Sequence, residues 1–169
     1  DNPVPNPSSG EAGIQQPVGE PRTKDWRQEG VVSEVNDQRF CAASYAFSAI
    51  GALESAVALN NKRKTKASEG DEHLVLFSAQ EIIDCSDDFS NHGCNGGLPM
   101  QAFGYILQFN IALEKDYEYT GRTQACKIDE SKQRTHIDSY TVLGSSSIKG
   151  LLDMVDGQPV SVSFEALQE

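Results

Sequence analysis

Gln38-Arg39-Phe40-Cys41-Ala42-Ala43-Ser44-Tyr45-Ala46-Phe47-Ser48 is the stretch that decides how this chain folds and where its chemistry sits. From Ser44 to about Leu59, Phe47, Ile50, Leu53 and Val57 recur at helical spacing. Small residues between them (Ala46, Ala49, Gly51, Ala52, Ala56) predict a helix packed closely on both sides. Residue 44 then stands in the first turn, where free backbone N–H groups and the helix dipole favour negative charge. Such a position suits an activated nucleophile and an oxyanion forming beside it. A serine hydroxyl there must lose its proton to a base during attack.

Outward from this stretch, residues 1–20 hold four prolines and three glycines with no periodic apolar face, and read as a flexible leader or propeptide remnant. A globular pattern starts near Pro21. The basic then acidic run after the first helix, NNKRKTKASEGDEH, reads as a solvated loop. Ser78 is placed to cap a second helix, with Glu81 reaching back as in a capping box. Residues 86–97, SDDFSNHGCNGG, form a turn-rich loop. A third helix follows Pro99, with Met100, Phe103, Ile106 and Leu107 on one face. Later, HIDSYTVLG reads as a strand, SSIKGLLDMV as a short helix and PVSVSFEA as a strand. Helices first and strands later make an α+β chain with segregated lobes, the helical one over 21–130 and the β-rich one beginning at 131–169.

Composition excludes some partners. With 14 Lys and Arg against 25 Asp and Glu, the formal net charge of −11 argues against nucleic acid and anionic membranes. No apolar run is long enough to span a bilayer. The four cysteines, Cys41, Cys85, Cys94 and Cys126, match no zinc pattern. They allow three disulfide connectivities or four reduced, buried thiols, and disulfides would imply an oxidising compartment. No metal or cofactor is expected.

The Gln38–Ser48 stretch resembles the papain-like cysteine proteases, which carry a glutamine, a cysteine, and three residues later the nucleophilic cysteine, followed by an aromatic residue and Ala-Phe-Ser. Serine stands here in the nucleophile's place. The resemblance continues through DWRQEGVV, Ser78-Ala79-Gln80-Glu81, Asp84-Cys85, Cys94-Asn95-Gly96-Gly97, Tyr117-Glu118-Tyr119-Thr120-Gly121 and Gln158-Pro159-Val160-Ser161-Val162, spanning about residues 21–166. It implies a papain-like fold with Ser44 as nucleophile and the Gln38 side chain as an oxyanion donor. It further implies that Cys41 pairs with Cys94 and Cys85 with Cys126, that Gly96 and Gly97 offer backbone to a substrate strand, and that Leu98, Pro99 and Ser163 wall the main specificity pocket. Read without the resemblance, the glycines are turn residues and Leu98-Pro99 a plain helix start.

Tyr45 replaces the family's usual tryptophan, and Ala42-Ala43 its usual Gly-Ser. Ala-Ser-Tyr-Ala-Phe-Ser-Ala-Ile-Gly-Ala-Leu-Glu, with Ile82-Ile83-Asp84-Cys85-Ser86, is most similar to the sponge silicatein branch, associated with condensing silica from soluble precursors. CNGG is cathepsin-like. The family's base is a histidine from the second lobe oriented by an asparagine. None of His73, His92 and His136 stands in that context. Two readings follow: a silica-condensing enzyme, or a papain-fold scaffold without catalysis. The expected partners are silicon precursors or otherwise peptide or protein, with self-association or a further C-terminal segment covering open strand edges. A secreted or lysosome-like compartment is expected.

Overall fold

The computed structural model describes residues 23–65, 74–144 and 147–164. The proposed leader, His73 and most of the charged run after the first helix lie outside the described residues. The central element is α1, Ser44–Thr65, six residues longer than its apolar pattern. Its last turn carries Lys62, Arg63 and Lys64, cations at the negative end of the helix dipole. Lys62 Nζ also donates to the Glu29 carbonyl at 2.6 Å.

Helix α1 packs on α2, Ala79–Cys85, and on α3, Pro99–Phe109. Ala46, Ala49 and Ala58 are fully buried, so short side chains on α1 let the neighbours come close. Ile50 and Leu53 meet Ile82 and Ile83 of α2 and Ala102, Tyr105 and Ile106 of α3 in one core. Pro99 starts α3, where its missing N–H costs nothing. The predicted face of α3 is rotated. Ala102, Tyr105 and Ile106 are its buried residues, whereas Met100 and Leu107 are nearly half exposed.

Ser78 caps α2, its hydroxyl accepting the Glu81 N–H at 2.9 Å. The return half of the predicted capping box is absent, because the Ser78 N–H donates to the Ala112 carbonyl and Glu81 turns inward. There its fully buried carboxylate accepts from Tyr105 Oη at 2.8 Å, from the Ala112 N–H at 2.9 Å and from the Arg134 guanidinium. Burial, then the Glu81 charge, holds the Tyr105 phenol above its ordinary value, so it stays a donor.

Sheet is limited. The short strands β1, Ile111–Ala112, and β2, Arg134–Thr135, pair antiparallel, Ile111 opposite Thr135. The segments read as strands at 136–144 and from 159 onward carry no ladder among the described residues. A strand exists only through inter-strand hydrogen bonds, and none of the described chain supplies them here. The predicted helix between them forms as α4, Ile148–Gly157, with the Ser147 hydroxyl accepting the Gly150 N–H. Trp26 Nε1 donates to the Val155 carbonyl at 2.8 Å and ties α4 to the start of the described chain. Among the described residues no helix is long and apolar enough to cross a membrane.

Candidate active site

Both disulfides implied by the resemblance are present. Cys41–Cys94 joins the entry of α1 to the short turn Gly93–Asn95, and Cys85–Cys126 joins the end of α2 to the loop that follows β1. Crosslinks of this kind contribute about 2–4 kcal/mol each. The first is reinforced by the Ala42 N–H donating to the Cys94 carbonyl at 3.1 Å, so the glycine loop and the start of α1 are held as one unit.

Ser44 opens α1 and is exposed. The Ala43 carbonyl accepts from the Ala46 and Phe47 N–H groups, and the Ser44 and Tyr45 N–H groups that open the helix have no intrahelical acceptor. Gln38 is fixed beside it: its Oε1 accepts the Ala43 N–H at 3.0 Å. Because that partner is a donor, the amide's oxygen must face it, and Nε2 is turned away as a free donor. The Gln38 carbonyl in turn accepts Tyr119 Oη at 2.6 Å. Tyr45 is buried and donates its phenol to the Gly93 carbonyl at 3.1 Å. Burial and then the Asp84 charge push this phenol up to about 12, so it remains protonated as a structural donor.

Ser44, Gly97, Pro99 and Ser163 line one cavity of about 270 Å3, together with Tyr45, Ser48, Val162 and Phe164. An adjoining apolar groove of about 580 Å3 is walled by Leu98, Pro99, Phe103, Tyr140, Val162 and Ser163. Gly97 belongs here for steric reasons. A Cβ would lie 2.2 Å from Asn91 Oδ1 and 3.0 Å from the Tyr45 ring. Buried Asn91 accepts the Leu98 N–H at 3.0 Å and donates to Ser86 Oγ at 2.9 Å, which sets the level of the loop. Nothing among the described residues bonds the Gly97 backbone, so its N–H and C=O are open to a ligand.

Gly96 behaves differently from the expectation. Its carbonyl accepts the His92 N–H at 2.9 Å, its N–H is directed at the Gly93 carbonyl, and its φ is +109°. It is a turn residue whose backbone is already used, and it lines neither cavity.

Two features escaped the sequence reading. Ser48, one helical turn beyond Ser44, is bonded to Ser161 at 2.6 Å between hydroxyl oxygens, pinning the 158–164 segment across α1. The only sign was a second serine four residues after the first. Glu54 is buried on α1, and its place between Ile50 and Val57 on the apolar face was the available signal. Neither described histidine reaches Ser44: His92 faces Asp87 at 3.9 Å and His136 faces Asp138 at 3.1 Å, both on the surface.

The family description "Papain family cysteine protease" matches residues 20–169. Thiol protease aleurain of Arabidopsis thaliana is 37% identical over 151 residues, covering 87% of this chain and 39% of that protein. Pro-cathepsin H of Mus musculus is 35% identical over 152 residues, covering 88% and 43%. The chain thus spans about two fifths of the length of these curated relatives. Among solved structures, digestive procathepsin L 3 of the Tenebrio molitor larval midgut superposes with a TM-score of 0.67 at 37% identity, covering 78% of this chain and 40% of that one. A Carica candamarcensis cysteine protease in complex with E-64 does so with a TM-score of 0.66 at 28% identity, covering 80% and 58%.

Proposed function

Because this chain belongs to the papain family of cysteine proteases, we propose that it is a serine branch of that family, silicatein-like, acting on silicon precursors instead of peptides. One observation carries the reading: the exposed hydroxyl of Ser44 heads the longest helix and lines a cavity whose other walls include Gly97 and Ser163. An oxygen nucleophile suits silicon, which forms strong bonds to oxygen. In the proposed step the Ser44 oxygen bonds to the silicon of an alkoxysilane, one Si–O bond to the alkoxide breaks, and the alcohol leaves with the serine proton. Water then cleaves the seryl silyl ether, regenerates the hydroxyl and releases a silanol that condenses. The Gln38 Nε2 and first-turn N–H groups steady the negative charge that builds on oxygen. A vesicular or extracellular setting fits two disulfides.

A second reading has its own support. The described residues bring no imidazole to Ser44, and losing general acid–base assistance costs about 10²–10⁴-fold. A surface that templates silica or binds a partner needs no base.

The test pairs wild type with Ser44→Cys on two probes, tetraethoxysilane and an aromatic-X-Arg fluorogenic peptide. The serine-branch reading expects silane conversion by the wild type and peptide cleavage by neither 169-residue chain. Peptide turnover by Ser44→Cys would mean that His73, His92 or His136 serves as a base, and would overturn it. Silane conversion that is absent in the wild type would leave the scaffold.

A further inference from the structure

Beneath the loop that carries Gln38 lies a small cavity of about 60 Å3, lined by Glu54, Glu114, Asn36, Asp37 and Tyr119 among others. Glu54 enters from α1 and is 3% exposed. One of its oxygens accepts the Phe77 N–H at 3.0 Å, and the other, Oε2, is buried without a partner. Glu114, half-buried just after β1, accepts the Tyr119 N–H at 3.0 Å. Two acceptors therefore face one cavity: Glu114 has the Tyr119 N–H, and Glu54 has the Phe77 N–H with the Ser33 side chain beside it, while its Oε2 is left unpaired.

Among the described residues no cation balances them: no ion pair joins a basic side chain to Glu54 or Glu114. Arg39 lies over the Tyr119 ring at 5.8 Å, and Arg39, Lys115 and Glu118 line a separate groove with Glu114, none of them lining the cavity that Glu54 and Glu114 share. Asp37 is occupied with the Arg39 N–H at 2.7 Å. The described acidic residues do not gather into a cluster of three that would hold a metal. Among the described residues a proton is the neutralising charge left to this arrangement, and an acid O–H would also give the orphaned Glu54 oxygen its donor.

We propose that Glu54 and Glu114 form an acid-operated latch which, through Tyr119, holds Gln38 in register beside Ser44. The mechanical path is short. Glu114 holds the Tyr119 backbone, the Tyr119 ring packs edge-on against Phe47 at 4.9 Å, and its hydroxyl donates to the Gln38 carbonyl. Gln38 then holds the Ala43 N–H, one residue before Ser44. With the proton in place the seat of Tyr119 is neutral and closed. Without it, two carboxylates repel across a cavity, and the loop that bears Tyr119 is the part able to yield. Tyr119 is thus a positioning residue.

The titration runs in the direction an acidic compartment needs. Burial pushes the Glu114 carboxyl up to about 7 from its ordinary 4.5, opposed by the Tyr119 N–H and aided by the Glu54 and Glu118 charges. Burial raises Glu54 as well. The folded protein holds a proton at Glu114 that the unfolded chain releases. Its contribution is therefore full below about 4.5 and is lost as pH rises through about 7.

The experiment is amide exchange of the whole chain, expressed as protection relative to intrinsic rates, for wild type, Glu114→Gln and Glu54→Gln. In the wild type, protection of the Ala43 and Tyr119 N–H groups should fall about tenfold or more between about pH 5.5 and about pH 8. Glu114→Gln, a neutral isostere that still accepts the Tyr119 N–H, should hold it constant. Glu54→Gln should keep the transition and move its midpoint to lower pH. Wild-type protection that does not change, or an unaltered transition in Glu114→Gln, overturns the latch. Should the variants fail to fold, the carboxyl carbon resonance of Glu114 in the wild type decides: a midpoint near 7 supports it and one near 4.5 refutes it. The role given to Gln38 rests on the proposed site, yet the failures separate. Loss of this titration leaves Ser44 chemistry untouched, and an unreactive Ser44 leaves the latch standing.

Discussion

Residues 44–113 and residues 136–164 carry apolar side chains in similar density and put them to opposite use. In the first region Ile50, Leu53, Ile82, Tyr105 and Ile106 are buried by three helices that satisfy their own backbones. In the second, Val142, Ile148, Leu152 and Phe164 remain 44–83% exposed, and the extended segments find no ladder among the described residues. Helices need only side-chain burial to pack, whereas a strand needs a neighbour's hydrogen bonds as well. The candidate site lies where the two regions meet, so each tie between them is a test of how much the second leans on the first.

The strongest tie on the approach to the second region is the buried pair Glu81–Arg134, which fastens β2, just ahead of residue 136, to α2. Arg134→Met strands a fully buried carboxylate and should cost about 3–5 kcal/mol. Urea unfolding should show that loss. A cost within error would mean that β2 is not anchored by this pair.

Much of the first region was legible because its signals are local. Ser78 before α2, Pro99 at the head of α3 and the apolar period of α1 each fix structure within a turn or two. The placement of Ser44 at a helix start belongs to that class. The Ser48–Ser161 bond joins residues 113 apart, and the turn role of Gly96 depends on carbonyls that only the folded loop brings near. Nothing in a linear pattern records such partners. The unpaired strands were misread for the same reason: alternation in PVSVSFEA reports a preference for extended chain, not the presence of a partner.

Next in size is Gly97→Ala. Its methyl would press on Asn91 Oδ1, which belongs to the buried chain Ser86–Asn91–Leu98, and should cost about 1–3 kcal/mol by overpacking. Thermal melting should show the loss. A neutral result would indicate that the glycine loop moves freely. Smallest is Ser161→Ala, which removes one hydroxyl bond between the regions and should cost about 0.5–1.5 kcal/mol. Amide exchange should rise around 158–164 and α4 while α1 to α3 stay protected. Faster exchange throughout would show that the regions unfold as one and erase the contrast drawn between them.

The initial rate of tetraethoxysilane hydrolysis, compared between wild type and Ser44→Ala at equal concentration, tests the central claim most directly. An oxygen nucleophile at the head of α1 predicts that the variant falls to the rate of buffer with an unrelated acidic protein. A Ser44→Ala chain that matches the wild type would place the chemistry, or its absence, elsewhere and contradict the account.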